Sequence, residues 1–459
     1  MGFKGEFASY EPLRRLLSSD KVENLKERFK VRNSEEEAER VVSEIISKHD
    51  VAESDLKPDL VLAIDGSYMP AKAENGFPGA EFGYVTVSSV LIDLKKVQNL
   101  ESNDFIDPKE FRKTEKASTV DTVIPGCNIV IDDEKDAKSS MRKALLEQMR
   151  SNRIFEKGET LLDTYKYLLN IKRARFKGEN PPKSPIEGFG DKDMTYSESG
   201  EEEFVCPYSG ETLYCTDALR LHELMNPAGS NGEMYGQIMA TLEKLWLVHI
   251  LRSFESNNWL PTLRRVAFIM DGPLAVFSTS SWLAKVISYE LNRINEKQKA
   301  INKNDLLIIG IEKSGTFYNH FEGIDTTSEG IAGNFPKQSA LLLNDHYIKK
   351  NIIFSQSKKP YGLDTYFGRK FFYKTKSGQR LVPVAACYTL RQSDLVTSNI
   401  SQFTRLGDIM ELMDSLASSR YPNSISPLIS AHAEAAIPMN LGTRIFEDIA
   451  KEIRDRNDT

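Results

Sequence analysis

Two short apolar runs, each stopped by Asp-Gly, constrain this chain more than anything else in it. The first is Val61-Leu62-Ala63-Ile64-Asp65-Gly66-Ser67. The second is Val266-Ala267-Phe268-Ile269-Met270-Asp271-Gly272-Pro273. An apolar, partly β-branched run ending this way reads as a buried strand that carries a carboxylate at its tip. Asp-Gly is also an ordinary turn dipeptide, so one copy alone says little. Two such tips from distant parts of the chain can meet only in space. Two carboxylates brought together repel unless a cation or a proton sits between them. A divalent-metal site is therefore the first expectation, and metal on clustered carboxylates is the chemistry of phosphodiester hydrolysis.

The rest of the chain reads as α/β with a mixed sheet. A run over 84–92 follows the first Asp-Gly strand beyond a Gly/Pro-rich turn, and a hairpin is the economical reading. Ser34 and Glu37 have the spacing of a capping box, which predicts an amphipathic helix over 34–49. Further helices are expected at 139–154, 158–176, 231–256 and 279–298, and another strand at 306–311. The polar stretch 177–204 reads as a mobile loop inside an insertion. These patterns divide the chain into an N-terminal helical region (1–57), a first part of the core (58–94), a partly mobile insertion (95–215) and the remainder of the core with helical C-terminal residues (216–459).

Of 459 residues, 40% are apolar and 27% charged, as in ordinary globular proteins, and the net charge is −6. A nucleic-acid partner would have to meet a locally basic surface. The segment 331–400 offers one, with eleven Lys and Arg against three Asp. Strands are expected there at 366–375 and 380–389, around Lys376-Ser377-Gly378. Arg369, Lys370, Lys374 and Lys376, interleaved with Tyr366, Phe371 and Tyr373, suit contact with single-stranded nucleic acid. The competing reading is a hairpin with a solvated basic face. No basic-plus-apolar leader and no run of membrane-spanning length is visible, so a cytoplasmic location without membrane contact is expected. Cys127, Cys206, Cys215 and Cys387 are scattered, which suits a reducing compartment, and Cys206-Pro207-Tyr208-Ser209-Gly210 resembles half a zinc ribbon with Ser209 in place of the second Cys.

A metal site needs more oxygen ligands than two aspartates. The helix before the second Asp-Gly strand carries Glu233, Glu243 and Glu255. Glu243 lies in an apolar stretch beside Lys244, where a carboxylate facing inward needs a partner. Glu233 opens the helix, where it can simply favour the dipole. Lys313, just after the strand at 306–311, is placed to hold a phosphate oxygen or to be a solvated loop residue. His432, among small residues, and Tyr421, before Pro422, are each unspecific alone.

Taken in order, Asp65-Gly66-Ser67, a helix with Glu243, Asp271-Gly272, Lys313-Ser314, Tyr421-Pro422 and Ala431-His432 resemble the NurA nuclease family over about residues 58–440. The resemblance implies an RNase H-like mixed sheet flanked by helices, related to the PIWI domain. It implies metal-dependent DNA exo- and endonuclease activity with Mn²⁺ or Mg²⁺, a ring-like homodimer, and a hexameric HerA-type ATPase as partner. It assigns metal binding to Asp65, Glu243, Asp271 and His432, with Glu233 as the alternative carboxylate, and places Tyr421 at the scissile phosphate. The segment 95–215 and an apparent insertion at Asn423-Ser424-Ile425 depart from the family pattern and suggest a divergent bacterial or phage-defence type. A non-catalytic adaptor of a DNA-translocating ATPase is the rival expectation. A guide-dependent PIWI-like nuclease ranks below it, since nothing in the sequence supplies a guide-end pocket.

Overall fold

The computed structural model describes residues 10–28, 44–55, 57–73, 79–95, 115–176, 182–194, 200–326, 333–388, 392–417 and 425–436. Two compact units divide at residue 44. The first contains helices α1 (Glu11–Leu17) and α2 (Asp20–Arg28).

The second unit is built on a nine-stranded mixed sheet. In chain order the strands are β1 (Ile46–Ser47), β2 (Leu60–Ala73), β3 (Ala80–Asp93), β4 (Glu115–Pro125), β7 (Val266–Asp271), β8 (Leu307–Glu312), β9 (Ser339–Leu342), β10 (Gly368–Lys374) and β11 (Arg380–Ala386), while β5 (Glu203–Val205) and β6 (Thr212–Tyr214) form a separate hairpin. The order across the sheet is β1-β9-β10-β11-β8-β7-β2-β3-β4. β2, β7 and β8 run parallel and every other neighbouring pair is antiparallel. The β2–β3 hairpin pairs from Leu60↔Asp93 to Ala73↔Ala80, well beyond the predicted strand.

Central strands are buried on both faces, so their sequences are almost wholly apolar. Leu62, Ile64, Phe268 and Met270 pack on one face with α3 (Ala137–Ser151), α4 (Leu161–Arg175), α5 (Gly232–Ser256) and α6 (Trp282–Asn302). Val61, Ala63, Ala267 and Ile269 face the other way, against α10 (Leu406–Leu416) and α11 (Ser426–Ala435). In chain order α7 (Thr316–Asp325), α8 (Asp345–Asn351) and α9 (Gln392–Leu395) follow α6 and precede α10. α4 opens on a capping box in which Thr160 and Asp163 satisfy each other's backbone N–H.

The structure differs from the expectations in three places. Of the helix expected at 34–49, residues 34–43 lie outside the described residues, and its end forms β1 and a single 3₁₀ turn, Lys48–Asp50. The stretch read as an insertion contributes β4, which pairs along β3 from Phe82↔Pro125 to Ile92↔Glu115. Within the stretch read as a mobile loop, Ile186 and Met194 are buried in the main core.

Candidate carboxylate centre

Residue alternation along β2 and β7 decides where the two aspartates point. Val61, Ala63 and Asp65 share one face, as do Ala267, Ile269 and Asp271. The parallel register that pairs Ile64 with Met270 brings Asp65 and Asp271 side by side where the β2–β7 pairing stops, at the end of β7 and within the longer β2, about 5 Å apart along the sheet. Ligand sites in open α/β sheets form where parallel strands end, as β7 does here. Asp65 is only 3% exposed, whereas Asp271 is half-buried.

The glycines that follow have different reasons to be glycine. Gly272 adopts φ +73°, a left-handed conformation that side chains resist. Gly66 lies in extended strand, but a Cβ there would stand 2.6 Å from Glu243 Oε1 and 2.6 Å from Met239 Cγ. The missing side chain is what lets α5 bring Glu243 against β2 beside Asp65. In both motifs the glycine N–H donates to the preceding aspartate Oδ1, at 2.8 Å for Asp65 and 3.0 Å for Asp271.

Each carboxylate has its own basic neighbour. Lys244 Nζ donates to Glu243 Oε2 at 2.8 Å, with both side chains buried. Lys313 Nζ lies 3.0 Å from Asp271 Oδ1. His432, on α11, places Nδ1 3.0 Å from Asp65 Oδ2. Burial pushes Glu243 above the usual carboxylate range against the opposing pull of Lys244, and the charges of Asp65 and Asp271 add to the rise. Asp271 is raised by burial and then by the neighbouring Asp65 charge. The hydrogen bond to Asp65 raises His432 above its ordinary value. Excess negative charge at the centre is thus offset by a lysine, a second lysine and an imidazole.

The donor chemistry fits a hard divalent cation, since three carboxylates and one imidazole are the ligand types of Mg²⁺ and Mn²⁺ sites. Ser88 adds to the fit. It pairs directly with Asp65 across the β2–β3 ladder, and its buried hydroxyl has no hydrogen-bond partner. Such a group suits a water of a hydrated ion. As the side chains stand, no group of three or more His, Cys, Asp or Glu among the described residues is drawn together tightly enough to hold an ion. Loading would require Lys313 or His432 to swing off its carboxylate.

The structure therefore brings together Asp65, Asp271, Glu243, His432 and Lys313. Glu233 is exposed at the start of α5, and Glu255, near its far end, is bound to Arg293 and Lys297. Tyr421 lies outside the described residues. The sequence reading missed Ser88 and the buried role of Lys244. Alternation on β3 was the available signal for Ser88, a polar residue directly opposite Asp65.

The basic hairpin is corrected. Arg369, Lys370 and Lys374 are buried. Lys370 lies 2.6 Å from Glu312 and over the Phe317 ring at 3.4 Å, and Lys374 Nζ is 2.7 Å from Asp325 Oδ1. Arg369 donates to the carbonyls of Thr397 at 2.6 Å and Leu343 at 3.2 Å. Phe371 and Tyr373 pack in the core against α10, and Phe372 stacks on Phe321. β10 is an interior strand between β9 and β11, so both its edges are paired, and every one of its residues is buried, so both its faces are covered. Of the four basic residues named for this interface, only Lys376, in the turn, is exposed.

Fold and site together define a mixed α/β protein with a carboxylate centre where the parallel strands β2 and β7 stop pairing. The chain belongs to the NurA family, whose domain model matches residues 59–437. Among solved structures, the NurA nuclease from Sulfolobus solfataricus is similar over 97% of each chain, at 12% identity and a TM-score of 0.36. A second crystal structure of NurA gives 10% identity over 95% of this chain and 96% of that one, with a TM-score of 0.30. A crystal structure of NurA with manganese gives 10% identity over 95% and 96%, with a TM-score of 0.25. No curated protein matches. Among the described residues no helix is long and apolar enough to cross a membrane.

Proposed function

We propose that this protein is a divalent-metal-dependent DNA nuclease whose centre is Asp65, Glu243 and Asp271. The observation that carries the reading is the side-by-side placement of Asp65 and Asp271 where β2 and β7 stop pairing, with Glu243 reaching the same point across Gly66. Family membership sets the reaction class. A bound Mn²⁺ or Mg²⁺ would activate water and steady the leaving oxygen of a phosphodiester.

The protein's own groups supply the remainder. The glycine N–H groups hold Asp65 and Asp271 each by its Oδ1, and Asp65 Oδ2 meets His432. His432, released from Asp65, is placed to exchange a proton with the attacking water or the departing oxygen. Lys313, released from Asp271, offers a point charge to a phosphate oxygen. Tyr421 would position the scissile phosphate. An RNase H-like core, a homodimer and a hexameric HerA-type ATPase that feeds DNA to the centre complete the reading, in end processing or phage defence. A motor partner would let an acidic chain engage DNA without relying on electrostatic affinity.

A second reading has one observation in its favour. The basic partners on all three carboxylates are also what a non-catalytic adaptor, retaining the fold without the ion, would show. Calorimetric titration of the folded protein with Mn²⁺ separates the two. The nuclease reading expects saturable binding that is lost in Asp65→Asn, and the adaptor reading expects none.

A further inference from the structure

β2 does not stop where its pairing with β7 does. β7 accompanies it only as far as Ile64↔Met270, whereas the ladder with β3 runs on to Ala73↔Ala80. Beyond Asp65 the hairpin is therefore an arm, and the edge of β2 turned away from β3 carries no strand among the described residues. The arm begins at the carboxylate centre itself.

Tyr68 stands on this arm three residues past Asp65, about 10 Å along the strand at 3.3 Å per residue. Alternation puts it on the same face as Gly66, the face that α5 crosses. The packing agrees. A Cβ at Gly66 would meet Glu243 and Met239, and a Cβ at Gly236 would lie 3.4 Å from Cε1 of Tyr68 and 3.7 Å from its hydroxyl. Gly236, Met239 and Glu243 thus form one stripe of α5, at helical neighbour spacing, laid along Gly66 and Tyr68. One end of that stripe is the carboxylate and the other is the phenol ring. Gly236 has no side chain to cover the ring, and Tyr68 is 40% exposed. Glu233, one turn before Gly236, is exposed as well. It repels a phosphate, so the surface beside Tyr68 favours an uncharged partner. A nucleobase is such a partner, because its flat face stacks on an aromatic ring whatever the sequence.

We infer that Tyr68 is a substrate-binding residue whose ring stacks on a base of the DNA strand that passes the carboxylate centre. The base lies at most about three nucleotides from the scissile phosphate, at 3.4 Å per nucleotide. A base inside a duplex is already stacked on both faces. The strand is therefore single at this point, and the substrate class narrows to single strands and the melted ends of duplexes. The inference rests on the nuclease reading for the identity of the ligand, and its binding step needs no ion.

The test uses the full chain in EDTA, where binding is read without cleavage. The probes are single-stranded oligonucleotides carrying 2-aminopurine, whose fluorescence falls on stacking, at each position in turn. In the wild type and in Asp271→Asn, quenching is expected over one stretch of adjacent positions. Tyr68→Phe keeps the ring and should keep the quenching. Tyr68→Ala should lose it and bind about tenfold more weakly, with the melting temperature unchanged. Tyr68→Leu, which keeps an apolar contact with α5 but no ring, should behave as Tyr68→Ala. In Mn²⁺ the KM of Tyr68→Ala should rise about tenfold with kcat little changed, the mark of lost uniform binding. Quenching and affinity retained in Tyr68→Ala, or lost equally in Tyr68→Phe, overturn the assignment, as does a wild type that binds no DNA. Cleavage by Tyr68→Ala with wild-type KM overturns it and leaves the nuclease reading intact. Ring-dependent quenching in a wild type that cleaves nothing upholds it and counts against the nuclease reading alone.

Discussion

Replacing Gly66 by alanine tests how the centre is assembled. The new Cβ would meet Glu243 Oε1 and Met239 Cγ, each at 2.6 Å, nearly an ångström inside ordinary contact. Glu243 is 4% exposed and tied to Lys244 at 2.8 Å, so its carboxylate has little room to yield. Overpacking of this kind costs about 1–3 kcal/mol. Displacing a group of a reacting centre by about 1 Å costs on the order of a hundredfold in rate. Gly272→Ala is the matched control. Its strain at φ +73° costs about 1–2 kcal/mol, but nothing lies within 4 Å of the added methyl. The assay is Mn²⁺-dependent cleavage of linear DNA alongside thermal melting. Both variants should melt lower than the wild type. Only Gly66→Ala should lose cleavage, by about a hundredfold, and Gly272→Ala should stay within a few-fold. Adding Met239→Ala to Gly66→Ala relieves the thioether contact and should restore stability without restoring activity. Wild-type cleavage by Gly66→Ala, or full rescue by Met239→Ala, would refute the placement of Glu243 at the centre.

Three further outcomes follow from the same geometry. Lys244→Met strands a buried Glu243 and should destabilise the fold by about 3–5 kcal/mol, with added Mn²⁺ raising its melting temperature more than that of the wild type. Lys370→Ala should lower stability through the loss of its Glu312 partner while leaving the salt dependence of DNA binding unchanged; a slope reduced by about one would restore the phosphate contact. Burial pushes both His222 and His249 down to about 4, so between that value and an unfolded value near 6.5 the unfolded chain binds more protons. Stability from these two histidines is complete above pH 6.5 and falls as pH drops toward 4, by up to about 3 kcal/mol each. His249→Phe should flatten that acid limb in a denaturant titration, and an unchanged limb would contradict the assignment.

Much of the fold was legible because its signals are local. Both Asp-Gly strands, the β2–β3 hairpin, α5 and the β10–β11 turn announce themselves by apolar runs and turn residues within a few positions. Asp65 and Asp271 were legible for the same reason. What escaped depends on neighbours far away in the chain. Arg369, Lys370 and Lys374 read as a solvated basic strip until Glu312, Asp325 and the carbonyls of Leu343 and Thr397 close around them. No local pattern states that β10 is an interior strand. β4 was hidden because its segment is rich in Ser, Thr and Asp, and Thr119 and Asp121 lie exposed on one face. Glu243 was the sequence's choice over Glu233, but its contact with Gly66, whose absent side chain matters only once α5 lies across β2, was not legible.

The most direct measurement is degradation of linear duplex and single-stranded DNA by the purified protein with Mn²⁺, Mg²⁺ or EDTA, beside Asp271→Asn shown to be folded. Asn keeps the shape of the side chain and removes the charge that an ion requires. Metal-dependent degradation by the wild type that falls to background in EDTA and in Asp271→Asn is the predicted result. Degradation that persists in Asp271→Asn, or that ignores EDTA, contradicts a carboxylate-held metal as the seat of the reaction.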